Sequence, residues 1–130
     1  MSTKQEKRMA EYAAMFRVKP GSKVKLGRDF DPAFKADFVR KKDGAELLER
    51  GIAMLADYQA RLAAQDTYGM LVCLQALDAG GKDGTIRHVM SGVNPQGVSV
   101  NGFKVPSAEE LDHDYLWRYA KKLPARGDIG

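Results

Sequence analysis

The chain has 130 residues, a formal net charge of +4, and 44% apolar and 29% charged residues, the composition of one soluble globular domain. No apolar run approaches the roughly 20 residues of a bilayer-spanning helix, and the charged start Met1–Met9 lacks the apolar core of a secretory leader. Cys73 is the single cysteine, which excludes an internal disulfide and suits a reducing compartment, so a cytoplasmic location is expected.

The first segment reads as a short helix, with Met9, Tyr12, Ala13 and Phe16 on one face, ended by Lys19-Pro20-Gly21. Residues 17–42 read as an irregular arm, so that residues 1–42 form a helical and irregular basic extension. The charge is concentrated here. Residues 1–65 carry 14 basic and 9 acidic side chains, against 7 and 8 in residues 66–130. Arg17, Lys19, Lys23, Lys25, Arg28, Lys35, Arg40, Lys41 and Lys42 face only Asp29, Asp31 and Asp37 within the arm. Such a surface attracts a polyanion: nucleic acid, polyphosphate or an anionic membrane. Charge alone favours the plainer alternative, a solvated loop. Phe30, Phe34 and Phe38 read as anchors of the arm to a core.

A long helix is predicted over 44–65, with Leu47, Leu48, Gly51, Ile52, Leu55, Tyr58 and Leu62 as its apolar stripe and Asp43 as N-cap. Met70–Leu74 is then a continuous apolar run, read as a strand buried on both faces that ends at Gln75, with Cys73 as plain core. The glycine-rich stretch Gln75–Thr85 (QALDAGGKDGT) follows at once, and a short helix is predicted from about Asp83 to Met90. Asn94–Gly97 (NPQG) reads as a turn and Val98–Phe103 as a second strand. Ser107 and Glu110 have capping-box spacing for a further helix, whose buried face is Leu111, Tyr115 and Tyr119 and which ends before Pro124. Gly127–Gly130 reads as the lead-in to a third strand. Strands alternating with helices predict an α/β fold with a parallel sheet over residues 43–130.

A glycine-rich loop between strand and helix is built for phosphate. Small residues let successive backbone N–H groups face inward, the helix dipole adds positive potential, and a lysine reaches the outer phosphates. Gly80, Gly81, Lys82 and Gly84 fill these roles at Ala76–Thr85. The match to G-x-x-x-x-G-K-[ST] departs at Ala76 and at Asp83, where the Mg²⁺-holding hydroxyl is usual. Asp78 lies at the strand's C-terminal end, where open α/β sheets bind ligands. It reads as a Mg²⁺ contact, as a group orienting the attacking phosphate, or as a turn aspartate. Asp83 reads as a first-turn acid that favours the helix dipole. Arg87, one turn into the helix, reads equally as a phosphate contact or a surface arginine.

Three blocks carry a resemblance: Leu77–Arg87 (LDAGGKDGTIR), Ser91–Gly97 (SGVNPQG) and Pro106–Arg118 (PSAEELDHDYLWR). In residues, order and spacing they resemble the second family of polyphosphate kinases. The departures at Ala76 and Asp83 are that family's own habit. The resemblance spans residues 70–130 closely, and Arg17–Asp37 looks more loosely like the N-terminal extension of single-domain members. It implies a P-loop kinase-type parallel sheet with flanking helices, preceded by the helical extension. It implies Mg²⁺-dependent phosphoryl transfer between inorganic polyphosphate and a nucleoside mono- or diphosphate (ADP/ATP or AMP/ADP), without nucleic-acid or membrane partners. Asp78 and Lys82 fall on the catalytic positions, with Asp78 the metal contact. Ala79, Gly80, Gly81, Lys82, Asp83, Gly84, Thr85 and Arg87 fall on the phosphate-binding loop.

His113 with Trp117 and Asp114 with Arg118 read as i,i+4 helical pairs, Arg118 being alternatively a further phosphate contact. Family members continue with an acidic metal-binding strand, a basic lid and more sheet. The chain is therefore expected to be an N-terminal portion that is inactive alone and homo-oligomeric in full-length form. The alternatives are a non-catalytic phosphate- or nucleotide-binding fragment that associates with complete subunits, and a piece of another P-loop small-molecule kinase.

Overall fold

The structure is a computed structural model that describes residues 4–25, 27–31, 33–36 and 41–130. The expected anchor Phe38 and the arm charges Asp37 and Arg40 lie outside the described residues. Two compact units divide the chain, Met1–Gly51 and Ile52–Gly130, the division falling inside a helix. No helix among the described residues is long and apolar enough to cross a membrane.

In the first unit, α1 spans Lys4–Phe16 and half-buries Met9 and Tyr12, as the apolar spacing requires. Phe16 packs its ring against Phe34 at 5.7 Å, so this aromatic of the arm is tied to α1 rather than to a core, and both rings stay half exposed. Local hydrogen bonds shape the arm. Ser22 donates both its N–H and its hydroxyl to the Lys19 carbonyl. The Arg28 guanidinium at 2.6 Å and the Lys25 N–H at 2.8 Å hold the Asp29 carboxyl below the usual aspartate range, the guanidinium contributing most. Arg17, Lys19, Lys23 and Lys25 are exposed.

The second helix, α2, spans Lys41–Gln65. It starts before the expected cap, so Asp43 lies in its first turn, where a carboxylate still favours the dipole. Leu47, Gly51, Ile52, Leu55 and Leu62 are half-buried along the stripe, whereas Leu48 and Tyr58 of the expected stripe are exposed.

The second unit corrects the expected sheet. Among the described residues no continuous strand forms, and parallel pairing is confined to two isolated bridges, Met70 with Ile129 and Val98 with Ile129. The hydrogen bonds nevertheless have parallel-sheet form. Met70 N–H donates to Asp128 O, Gly130 N–H to Met70 O, and Val72 N–H to Gly130 O. On the other side Ile129 N–H donates to Gly97 O, and Ser99 N–H to Ile129 O. Residues 128–130 thus lie between the segments at 70–72 and 97–99, and Ile129, 4% exposed, is the buried apolar side chain among the described residues.

The run Met70–Leu74 is not buried on both faces: Met70, Leu71, Val72 and Leu74 are about half exposed, and Cys73 is exposed rather than core. A parallel strand gains such burial only from helices on both faces, and none covers this run among the described residues. Past Ser99, the expected strand to Phe103 continues without ladder bonds.

The helix α3 spans Lys82–Val89 and ends at Met90, close to expectation. A 3₁₀ turn at Pro95–Gly97 follows, opened by Asn94, whose side chain accepts from Gln96 N–H. The capping box forms as predicted, with Ser107 Oγ accepting from Glu110 N–H and the Glu110 carboxylate from Ser107 N–H. The helix it starts is interrupted, giving α4 at Ala108–Leu111 and α5 at Trp117–Ala120. Asp114 explains the break, since its side chain accepts from Leu116 N–H and its carbonyl from Trp117 N–H, closing a turn instead of a helix. Leu111, Tyr115 and Tyr119 therefore stay exposed, against the expected buried face.

Candidate functional site

The loop between Met70–Gln75 and α3 is held by a few short-range bonds. Gly80 N–H donates to Leu77 O at 2.9 Å, closing a turn, and Asp78 Oδ1 accepts from Ala79 N–H at 3.1 Å. Ala79 has φ +58°, a left-handed conformation that costs a residue with a Cβ about 1–2 kcal/mol. Strain of this kind persists where surrounding bonds impose it and clusters at functional loops. A Cβ on Gly80 would stand 2.8 Å from Leu77 O, so the turn itself requires glycine there.

Gly81, at φ +80°, is the N-cap of α3 and offers no side-chain oxygen to cap it. The helix bonds begin with Thr85 N–H to Gly81 O. The N–H groups of Gly81, Lys82, Asp83 and Gly84 therefore have no partner among the described residues, as at the start of any helix. A left-handed residue followed by a helical one turns successive N–H groups to one side, and the helix dipole points there too. This is a row of donors beside a lysine, of the kind suited to a phosphate.

Lys82 is half-buried; Asp78, Asp83 and Arg87 are exposed. None of these four makes an ion pair among the described residues. The Thr85 hydroxyl donates back to Gly81 O at 3.1 Å, which leaves only its lone pairs facing outward.

For a metal, no group of three or more His, Cys, Asp or Glu side chains comes together among the described residues. Asp78 supplies one carboxylate, with Oδ2 free of the loop's hydrogen bonds. That donor set fits Mg²⁺, which keeps several waters and binds through one or two carboxylates plus substrate phosphates.

Arg118 is engaged by residues outside the loop. Its Nη2 donates to Lys104 O at 3.0 Å, its Nε lies 3.2 Å from Glu110 Oε1, and its guanidinium covers the Phe103 and Tyr119 rings at 5.1 and 5.8 Å. The Nε hydrogen is not aimed at the carboxylate, so that contact is Coulombic rather than a hydrogen bond. Its ion-pair partner is Glu110, not Asp114. His113 does stack on Trp117, at 4.0 Å, although the backbone between them is not helical, and Lys121 Nζ lies 4.0 Å from the same ring centroid.

Sequence reasoning missed Gln59. It is 4% exposed, and its amide exchanges two 2.7 Å hydrogen bonds with the backbone N–H and C=O of Asn94. The signal was present, since Gln59 interrupts the apolar positions Ile52, Leu55 and Leu62 at helical spacing, where a polar side chain needs a buried partner.

The sequence profile of the polyphosphate kinase 2 (PPK2) family matches residues 38–130. An ADP-polyphosphate phosphotransferase of Rhodopseudomonas palustris is 48% identical over 118 residues, covering 88% of this chain and 39% of its own length. An AMP/ADP-polyphosphate phosphotransferase of Meiothermus ruber is 45% identical over 115 residues, covering 88% of this chain and 43% of its own length. The chain thus spans about two fifths of these relatives. The crystal structure of polyphosphate kinase 2 from Arthrobacter aurescens TC1 superposes with a TM-score of 0.75 at 36% identity, covering 91% of this chain and 42% of that one. Loop, blocks and superposition agree: the chain belongs to the polyphosphate kinase 2 family.

Proposed function

We propose that this chain supplies the phosphate-gripping part of a Mg²⁺-dependent phosphotransferase that moves a phosphoryl group between inorganic polyphosphate and a nucleoside mono- or diphosphate. The observation that carries the reading is the row of N–H groups at Gly81–Gly84 without a partner among the described residues, with Lys82 inside it and Asp78 in the turn before it. Names of relatives point to the same substrates, and family membership removes an unrelated small-molecule kinase from contention.

In the proposed step an anionic phosphate oxygen of the nucleotide attacks the terminal phosphorus of polyphosphate. The new P–O bond forms as the bond to the penultimate phosphate's bridging oxygen breaks. That oxygen leaves as the new anionic end of the shortened polymer, so no proton need move. The transition state spreads charge over three equatorial oxygens, and catalysis is mostly positioning and charge neutralisation. The N–H groups of Gly81–Gly84 fix one phosphate, Lys82 adds a positive charge to it, and Arg87 extends the positive field along α3. Asp78 would hold Mg²⁺, which supplies charge neutralisation between neighbouring phosphates when bound.

Because the matched relatives are more than twice as long, turnover is proposed for a protein of that length, and phosphate binding for these 130 residues. Two measurements test this. Tripolyphosphate with Mg²⁺ should shift the backbone amide resonances of Gly81–Gly84 in this chain. A version extended to the relatives' length should form ATP from polyphosphate and ADP, or ADP from polyphosphate and AMP. Amide shifts without turnover in the longer protein would favour the non-catalytic binding module, and no shifts at all would refute the reading.

A further inference from the structure

We propose that Gln59 is a positioning residue for the phosphate loop: its buried amide fixes Asn94, the point where the two ends of the loop's framework meet. The inference rests on the phosphate-binding reading of the loop. One end of the framework leaves the loop through α3 and reaches Met90, Gly92 and Asn94. The other enters the loop from Met70–Val72, which bonds to residues 128–130, which bond in turn to Gly97 and Ser99. Both routes converge on residues 92–99.

This hub is fastened to α2 at two places. Gly92 packs against the Ile52 side chain so closely that a Cβ would collide with it. Gln59 then donates Nε2–H to Asn94 O and accepts Asn94 N–H on Oε1, both at 2.7 Å. Gly97 leaves room for this amide, since a Cβ there would stand 2.9 Å from Gln59 Nε2. A side-chain amide that pairs with both backbone groups of one residue fixes that residue in orientation as well as distance. The stripe on α2 could be completed by an apolar side chain at position 59, so a buried glutamine is there for its two bonds. With the far end of α3 fixed, the direction of its N-terminal donors is fixed too.

The test uses the 130-residue chain and tripolyphosphate with Mg²⁺, read by the amide shifts of Gly81–Gly84 well below every variant's melting temperature. Gln59→Met keeps the bulk and removes both bonds. Gly97→Ala keeps the glutamine and pushes on it. Ser107→Ala removes the cap of α4 in the same unit and serves as a destabilised control. The expected result is a dissociation constant raised about tenfold by either clamp variant, the effect common for residues that orient a site's direct contacts, and unchanged by Ser107→Ala. Unchanged affinity in folded Gln59→Met and Gly97→Ala overturns the inference, even if both melt earlier. Equal weakening by Ser107→Ala also overturns it, since the effect would then follow stability alone. Absence of shifts in the wild-type chain would instead sink the phosphate reading, and this inference with it.

Discussion

Replacing Gly84 with alanine should stabilise the protein while weakening its grip on phosphate. Gly84 lies in the first turn of α3, it has no left-handed φ, and a Cβ built on it meets nothing within 4 Å. Glycine in a helix is about 0.8–1 kcal/mol less favourable than alanine, with less expected of a first-turn position, so the gain should be about 0.5–1 kcal/mol. For a chain of this length that is a rise of about 2–4 °C in melting temperature. The methyl group is not neutral for binding. Every Cα–Cβ bond in a helix tilts toward its N-terminus, which brings the new methyl toward the row of free N–H groups and the phosphate they would hold.

Neighbouring glycines give the contrast. Gly80→Ala meets Leu77 O and the Ala76 side chain within 2.9 Å, and Gly81→Ala is strained by φ +80°, so both should lose stability and binding together. The assay is a thermal melt of the free protein beside a tripolyphosphate titration. A lower melting temperature for Gly84→Ala would refute the account of its open surroundings. Undiminished phosphate affinity would refute the placement of phosphate over the helix start.

In a protein of the relatives' length, Lys82→Ala and Asp78→Asn should each lower polyphosphate-dependent transfer by roughly 100-fold or more with little change in melting, because Lys82 has no ion pair among the described residues and asparagine keeps an Oδ1 to accept from Ala79 N–H; near wild-type turnover would remove the residue from the mechanism. Neutralising Lys23, Lys25 and Lys42 should flatten the salt dependence of long-chain polyphosphate binding more than that of tripolyphosphate, by analogy with counterion release, and an unchanged salt slope would make the arm a solvated surface. Arg118→Met should cost about 1 kcal/mol of stability, seen in denaturant melts, by removing the charge beside Glu110, whose carboxylate keeps Ser107 N–H, and the donor to the Lys104 carbonyl; a normal melt with weakened phosphate binding would instead restore Arg118 as a phosphate contact.

What the sequence disclosed follows the range of the forces involved. The loop was legible because its donors, its lysine and its helix lie within Leu77–Arg87 and are shaped by bonds spanning at most four residues, such as Gly80 to Leu77 and Thr85 to Gly81. The capping box at Ser107 and Glu110 was legible for the same reason. Apolar spacing located α1 and α2, but it carried no information about what covers an apolar run. Met70–Leu74 reads as a buried strand by composition, yet burial is a property of neighbours, and here only Met70 and Val72 find hydrogen-bonding ones.

The region 112–118 failed differently. Its i,i+4 pairs assumed a helix, and a single aspartate turned the chain at Asp114 by offering its carboxylate to Leu116 N–H. That freed Arg118 for a different carboxylate, Glu110, and for a carbonyl fourteen residues back at Lys104. Gln59 marks the remaining gap. Its partner Asn94 is thirty-five residues away, beyond any local pattern. What local pattern does show is the anomaly, a polar side chain on an apolar stripe. Burying an amide without two good partners costs several times what the bonds return. A glutamine in that place is therefore a statement that a matching donor and acceptor arrive from elsewhere in the chain, and the turn after α3 is where they come from.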